Sequence, residues 1–166
     1  MKVNIALLTV TDTRTFDNDK SGAILVDKIK EANHNLVDRK ICKDNKNEIV
    51  LIFNQWLKNE KIDVIITTGG TGLTGRDITP EALEEIADKH ITGFGELFRN
   101  ISLKTVGTSA IQSRACAVLS NGKYIFALPG SSGGVTDAWE GILKHQLDIN
   151  HKPCNFVELF PRLKEK

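Results

Sequence analysis

Val3 to Val10 is a near-continuous apolar run, the pattern of a strand covered on both faces. Thr11 to Lys20 is polar and turn-like. Between Ser21 and Ala32, Ile24, Leu25 and Ile29 form an apolar stripe at helical spacing. Leu36 to Cys42 alternates and predicts a second strand. Asn45 to Glu60 predicts a helix with Ile49, Ile52, Phe53, Trp56 and Leu57 on one face. Asp63 to Thr68 predicts a third strand, which runs straight into a glycine-rich loop, Gly69 to Asp77. Thr79-Pro80-Glu81 reads as a helix start: Thr at the N-cap, Pro at the first helical position and an acid in the first turn. That helix is expected to reach about Lys89, with shorter helices over Gly95 to Lys104 and Ser109 to Arg114. Ala115 to Ser120 and Tyr124 to Leu128 flank Asn121-Gly122, which predicts a hairpin with a type I′ turn. A second glycine-rich turn, Pro129 to Gly134, precedes a helix from Val135 to Leu147. The residues from about 148 onward carry Pro153 and Pro161 and read as an extended tail.

Alternating strands and helices with one inserted hairpin predict a single α/β domain spanning 1–166. The fold class is a three-layer α/β/α sandwich with a mostly parallel sheet. In such sheets ligands bind beyond the carboxyl ends of the strands. Four strand-end loops meet that requirement here: Thr11-Asp12, the residues around Asp44, Gly69 to Asp77, and Pro129 to Gly134.

Gly70-Thr71-Gly72-Leu73-Thr74-Gly75 matches the spacing of a dinucleotide fingerprint. It fails on geometry, because that motif opens its helix within the glycines. Here Thr79-Pro80 delays the helix, and a proline inside a helix begun near Gly72 would break it. No Gly-Lys-Ser/Thr closes the loop, so it is not a P-loop either. What remains is a main-chain cradle. Gly69, Gly70 and Gly72 let N–H groups turn toward an anion, and Thr71, Thr74 and Thr79 add hydroxyls. Asp77 conflicts with a bare phosphate site. The conflict resolves if it holds a divalent cation such as Mg²⁺, with Asp44 and Asp12 as candidate partners. Gly130, Ser131 and Ser132 offer a second anion cradle. Two cradles and paired carboxylates suit a nucleoside triphosphate or a phosphorylated metabolite. Phosphoryl or nucleotidyl transfer needs positioning and charge neutralisation more than a side-chain nucleophile.

Composition narrows the classes. With 22 Lys plus Arg against 21 Asp plus Glu, the net charge of +1 provides no global field toward nucleic acid or an anionic membrane. The first apolar run is too short to span a bilayer and no small-residue cleavage site follows it, so the expected location is cytoplasmic. Cys42, Cys116 and Cys154 are an odd, widely spaced set, read as reduced and mostly buried thiols. His34, His90, His145 and His151 are scattered and read as surface residues. Trp56 and Trp139 read as core, and the Lys/Arg clusters as solvated faces. Gly93 to Arg99 reads as a surface segment able to pack on a partner subunit.

At these loops the chain resembles the MoaB/MogA family of molybdenum cofactor biosynthesis proteins. The likeness rests on Thr67 to Ala82 (TTGGTGLTGRDITPEA) and on Leu128-Pro129-Gly130-Ser131, and it extends over nearly the whole chain. Phe94 to Arg99, Ser113-Arg114 and Lys152 to Phe156 resemble the MoaB branch. The resemblance implies an α/β/α fold assembled as homotrimers, or hexamers of paired trimers. It implies adenylation of molybdopterin by Mg²⁺-ATP with release of pyrophosphate. Asp44 and Asp77 match the two aspartates that matter most in the active branch, as catalytic residues and Mg²⁺ ligands through the nucleotide phosphates. Thr11 and Asp12 match its first-strand motif. Relatives commonly carry Pro or Lys after Pro-Gly-Ser, where this chain has Ser132 and Gly133. A catalytically silent molybdopterin-binding carrier or scaffold is the alternative.

Overall fold

Four parallel strands and two more, one paired antiparallel to the last of them and another beyond it, make one sheet in a computed structural model that describes residues 1–165. The strands are β1 (Asn4–Val10), β2 (Asn35–Cys42), β3 (Val64–Thr68), β4 (Lys89–His90), β5 (Cys116–Ser120) and β6 (Lys123–Leu128). Their order is β2-β1-β3-β6-β5-β4. β2, β1, β3 and β6 run parallel, and β5 runs antiparallel to both β6 and β4.

The inner strands are apolar on both faces because both faces are covered. Along β1, Ile5 and Leu7 enter one core, while Ala6, Leu8 and Val10 enter the other. β6 divides the same way, with Tyr124, Phe126 and Leu128 on one side and Ile125 and Ala127 on the other. Side chains of successive strand residues point to opposite faces, so an unbroken apolar run is the signature of a buried sheet. The first core takes helices α1 (Lys20–Glu31), α4 (Thr92–Val106) and α5 (Ser132–Ala138). The second takes α2 (Lys46–Lys58) and α3 (Thr79–Ile86). β2 is the edge strand and stays partly exposed. Trp56 and Trp139 are buried core residues, as their spacing predicts. No helix among the described residues is long and apolar enough to cross a membrane.

Several local expectations change. The helix expected over Gly95 to Lys104 is longer: α4 is one helix of 15 residues that also takes in Gly93. A Cβ on Gly95 would lie 2.6 Å from the Ala115 carbonyl, so glycine lets this helix press against the chain before β5. Phe94 and Phe98, four residues apart, therefore face inward rather than toward a partner subunit, and Phe94 packs 5.1 Å from the Phe126 ring. The two-residue strand β4 is too short to leave a sequence pattern, and it ends α3 earlier than Lys89. The last long helix opens at Ser132, because Ser131 Oγ accepts the Gly134 N–H at 3.1 Å as an N-cap. It passes through a π-helical stretch, Trp139–Leu143, into α6 (Lys144–Gln146). The C-terminal tail is not extended throughout: Val157–Arg162 is a 3₁₀ helix, and Phe156 and Phe160 pack on Tyr124. Of the three free thiols, Cys42 is buried, Cys116 is half-buried and Cys154 is exposed. His34 is half-buried, and its Nδ1 accepts the Val3 N–H.

One buried charge holds β1, β2 and α1 together. Asp19 caps α1 through the Gly22 N–H (3.0 Å) and accepts bonds from Thr9 Oγ1 (2.7 Å) and Arg39 Nη2 (3.0 Å). Burial alone would raise its pKa, but these three donors outweigh burial and hold it below the usual carboxylate value. An Asp19→Asn variant should lose about 2 kcal/mol at pH 7, measured by urea unfolding. A group with a depressed folded pKa stabilises fully above its unfolded pKa and loses that contribution as pH falls through the folded one. The difference between wild type and variant should therefore close below about pH 4. A pH-independent difference would refute the charged network.

Candidate functional site

β1 pairs with β2 on one side and β3 on the other, so the strand order reverses between β1 and β3. This is the switch point at which parallel sheets open a crevice beyond their carboxyl ends. The loops after β3 and β6 are knitted together there. The Gly69 N–H donates to Leu128 O at 3.0 Å, and Thr68 Oγ1 donates to Pro129 O at 2.7 Å. Gly69 and Gly70 both have positive φ, at 100° and 67°. A Cβ on Gly130 would lie 3.3 Å from the Gly69 Cα, so the two glycine loops touch. Ser21 Oγ (2.6 Å) and Arg14 Nη1 (3.0 Å) both donate to Gly130 O and tie the second loop to α1 and to the loop after β1.

The aspartates divide into different roles. Asp44 is half-buried at the end of β2, and its carboxylate accepts no side-chain or loop hydrogen bond from another described residue. Burial first, and then the charge of Asp77, push its pKa up. Asp77 faces the same field but goes the other way. Burial would raise it, yet the Thr74 hydroxyl (2.7 Å), the Thr74 N–H (2.8 Å), the Gly72 N–H and the Arg114 charge hold it low. Asp12 is spent on structure: its Oδ1 accepts the Asp44 N–H at 3.0 Å, and its other oxygen pairs with Arg76. No group of three or more His, Cys, Asp or Glu side chains is gathered to hold a metal among the described residues. Asp12 therefore does not join Asp44 and Asp77 in a three-acid site. The pair alone fits a cation that takes its other ligands from phosphate, because such an ion would relieve the repulsion that Asp44 feels from Asp77.

The hydroxyls also sort themselves. Thr79 is fully buried and is the first residue of α3 rather than its cap; Ile78 occupies the cap position. Its Oγ1 donates to Gly69 O at 2.8 Å, and its N–H donates to Gly70 O. Thr79 thus braces the glycine loop and has no proton left for an anion. Thr74 is committed to Asp77, and Thr11 Oγ1 accepts the N–H groups of Thr13 and Arg14. Thr71 is buried and Gly72 is half-buried. Ser132 is exposed at the first turn of α5. One cavity opens against the loop after β1 and another against the loop after β6. The first, of about 420 Å³, is lined by Thr11, Asp12, Arg14, Cys42, Lys43 and Leu51. The second, of about 450 Å³, is lined by Phe98, Ser102, Thr105, Pro129, Ser131 and Asp137.

Arg14, Ser21, Glu81 and Arg114 were not among the residues that loop chemistry singled out. Glu81 lies in the Thr67–Ala82 block and Arg114 in Ser113-Arg114, but only as sequence likeness with no role attached, and Arg14 and Ser21 carry no motif. Their roles depend on contacts 33 to 116 residues away in the chain.

Residues 6–149 match a protein family described as "Probable molybdopterin binding domain". Molybdenum cofactor biosynthesis protein B of Escherichia coli K12 is 44% identical over 161 residues, covering 97% of this chain and 93% of the relative. The protein of the same name from Staphylococcus aureus MRSA252 is 46% identical over 149 residues, 88% of each. A crystal structure of molybdenum cofactor biosynthesis protein B superimposes with a TM-score of 0.90 at 38% identity, covering 100% of this chain and 98% of that one. The tungsten cofactor synthesizing protein MoaB from Pyrococcus furiosus gives 0.76 at 34% identity, covering 84% and 89%. Sequence and fold agree over almost the entire length, and the chain belongs to the MoaB/MogA family of molybdenum cofactor biosynthesis proteins.

Proposed function

We propose that the protein acts in molybdenum cofactor biosynthesis by transferring the adenylyl group of Mg²⁺-ATP to the terminal phosphate of molybdopterin. A molybdopterin phosphate oxygen forms a bond to the α-phosphorus, the α–β phosphoanhydride bond breaks, and pyrophosphate leaves with the electron pair. The reading is carried by one observation: two carboxylates with oppositely shifted pKa values flank the crevice where two glycine loops touch. Pairs of acids driven apart in this way are a mark of functional sites.

Asp44 and Asp77 would hold Mg²⁺ through the nucleotide phosphates, and the ion would supply charge neutralisation between the reacting phosphates. The chain's own work is positional. Main-chain N–H groups of Gly70 and Thr71 and of Gly130 to Ser132 bind and orient the two phosphates, while the Gly69 and Gly72 N–H groups are spent on Leu128 O and Asp77 and shape the loop. Thr74 and Arg114 keep Asp77 ionised, and Thr79 holds the loop that carries the amides. The attacking phosphate is already ionised, so no side chain has to remove a proton. The assembly implied by the family resemblance is a homotrimer or hexamer; exposed Leu103, Val106 and Ile111 beside the second cavity suit burial between copies.

The test is pyrophosphate release by purified protein given ATP, Mg²⁺ and molybdopterin, with each reactant omitted in turn. Release that requires all three supports the transferase. The second reading, a silent carrier, draws on Ser132 and Gly133, which bring no cationic side chain to the second loop. Tight molybdopterin binding without pyrophosphate release would select it.

A further inference from the structure

Arg114 lies outside the glycine loop, two residues before β5, yet it makes three hydrogen bonds to that loop. Its Nε donates to Gly72 O at 2.6 Å and its Nη2 to Asp77 O at 3.0 Å, while its Nη1 pairs with Glu81. Its own N–H donates to Thr71 O at 2.8 Å. One residue thus grips both ends of the Gly72–Asp77 span, the residue before it, and the first turn of α3. Only a guanidinium can do this, because it presents several donors in a fixed plane where an ammonium presents a point. The side chain is about two-thirds shielded. Glu81 commits one oxygen to it, and its other oxygen is buried with no partner. The Glu81 side chain is partly exposed, and its bond to Arg114 outweighs burial and holds its pKa below the usual carboxylate value, so the carboxylate stays charged beside the guanidinium it orients.

We propose that Arg114, oriented by Glu81, is the positioning residue that holds the glycine loop in its phosphate-binding shape before any ligand arrives. It touches no substrate. Between half-buried Gly72 and Asp77, Leu73 to Arg76 are exposed, and a Cβ at Gly75 would meet nothing within 4 Å. Released from the clamp, such a turn samples many conformations, and a ligand must then order it at the expense of affinity. This inference rests on the proposed transferase reading for its ligand, but the loop's order can be measured without one.

The experiment compares wild type, Arg114→Lys, Arg114→Met and Glu81→Gln by amide hydrogen exchange and by Mg²⁺-ATP binding in equilibrium dialysis. In Arg114→Met, amides of residues 71–77 should exchange at least tenfold faster while those of β1, β3 and β6 keep wild-type rates. The Kd for Mg²⁺-ATP should rise about tenfold, and in any turnover assay KM should rise with it. Arg114→Lys should recover only part of either effect, and Glu81→Gln should show both in weaker form. Uniformly faster exchange, or unchanged loop exchange, would overturn the clamp. If wild type binds no Mg²⁺-ATP, the transferase reading fails while the exchange data still decide the clamp.

Discussion

Asp77→Asn should reduce the proposed adenylation at least a hundredfold, about 3 kcal/mol of transition-state stabilisation, with a sedimentation profile unchanged from wild type. Asn is nearly isosteric and keeps an oxygen for the Thr74 N–H and hydroxyl, so the turn over Thr74 to Asp77 retains its two closing bonds. The charge is removed, and one acceptor oxygen becomes an NH₂ donor. Asp44 then loses the repulsion that helps raise its pKa, and the crevice loses half of the negative field that favours a divalent cation. Initial rates of pyrophosphate release and the sedimentation profile read the two halves of the prediction. A variant with undiminished turnover would show that Asp77 is not a cation ligand. A variant with an altered profile would show that the residue is structural.

The second large effect concerns backbone. Gly69→Ala should cost about 3 kcal/mol and remove phosphate binding. Gly69 has φ of 100°, a region nearly closed to L side chains, and its missing Cβ would overlap the Val10 carbonyl oxygen. The obstacle is main chain at the end of β1, with no flexible end to move aside. Any shift of Gly69 also disturbs its carbonyl, which takes the Thr79 hydroxyl, and its N–H, which reaches Leu128 O. Gly75→Ala in the same loop is the control. A Cβ there meets nothing within 4 Å. It should change stability by less than about 0.5 kcal/mol. Urea midpoints of the two variants measure the contrast, and equal midpoints would mean that the loop is generally permissive.

Much of the scaffold is legible from residue types alone. The apolar run of β1 names a strand buried on two faces, and the structure sends its odd and even residues to separate cores. Asn121-Gly122 names a hairpin, and both residues adopt the positive φ that the turn requires. The crevice is legible too, because Asp44, Gly69 and Gly130 each follow a predicted strand. Illegible were the partners. Asp12 looks like a cation ligand in the chain but pairs with Arg76, and Thr79 looks like a cap but is a brace. Phe94 and Phe98 look like a subunit contact but fill the core, because Gly95 permits a helix approach that sequence pattern cannot express.

Periodicity and turn chemistry act between neighbours in the chain, so the amino-acid order by itself determined the alternation of strands and helices, the hairpin, and the two glycine loops at strand ends. Hydrogen bonds and ion pairs act between neighbours in space. Which acid meets which base was decided only when the sheet brought Arg114 to Glu81, 33 residues away, and Arg39 to Asp19, 20 residues away. The same closure drove the pKa values of Asp44 and Asp77 apart, since burial and field exist only in the folded chain.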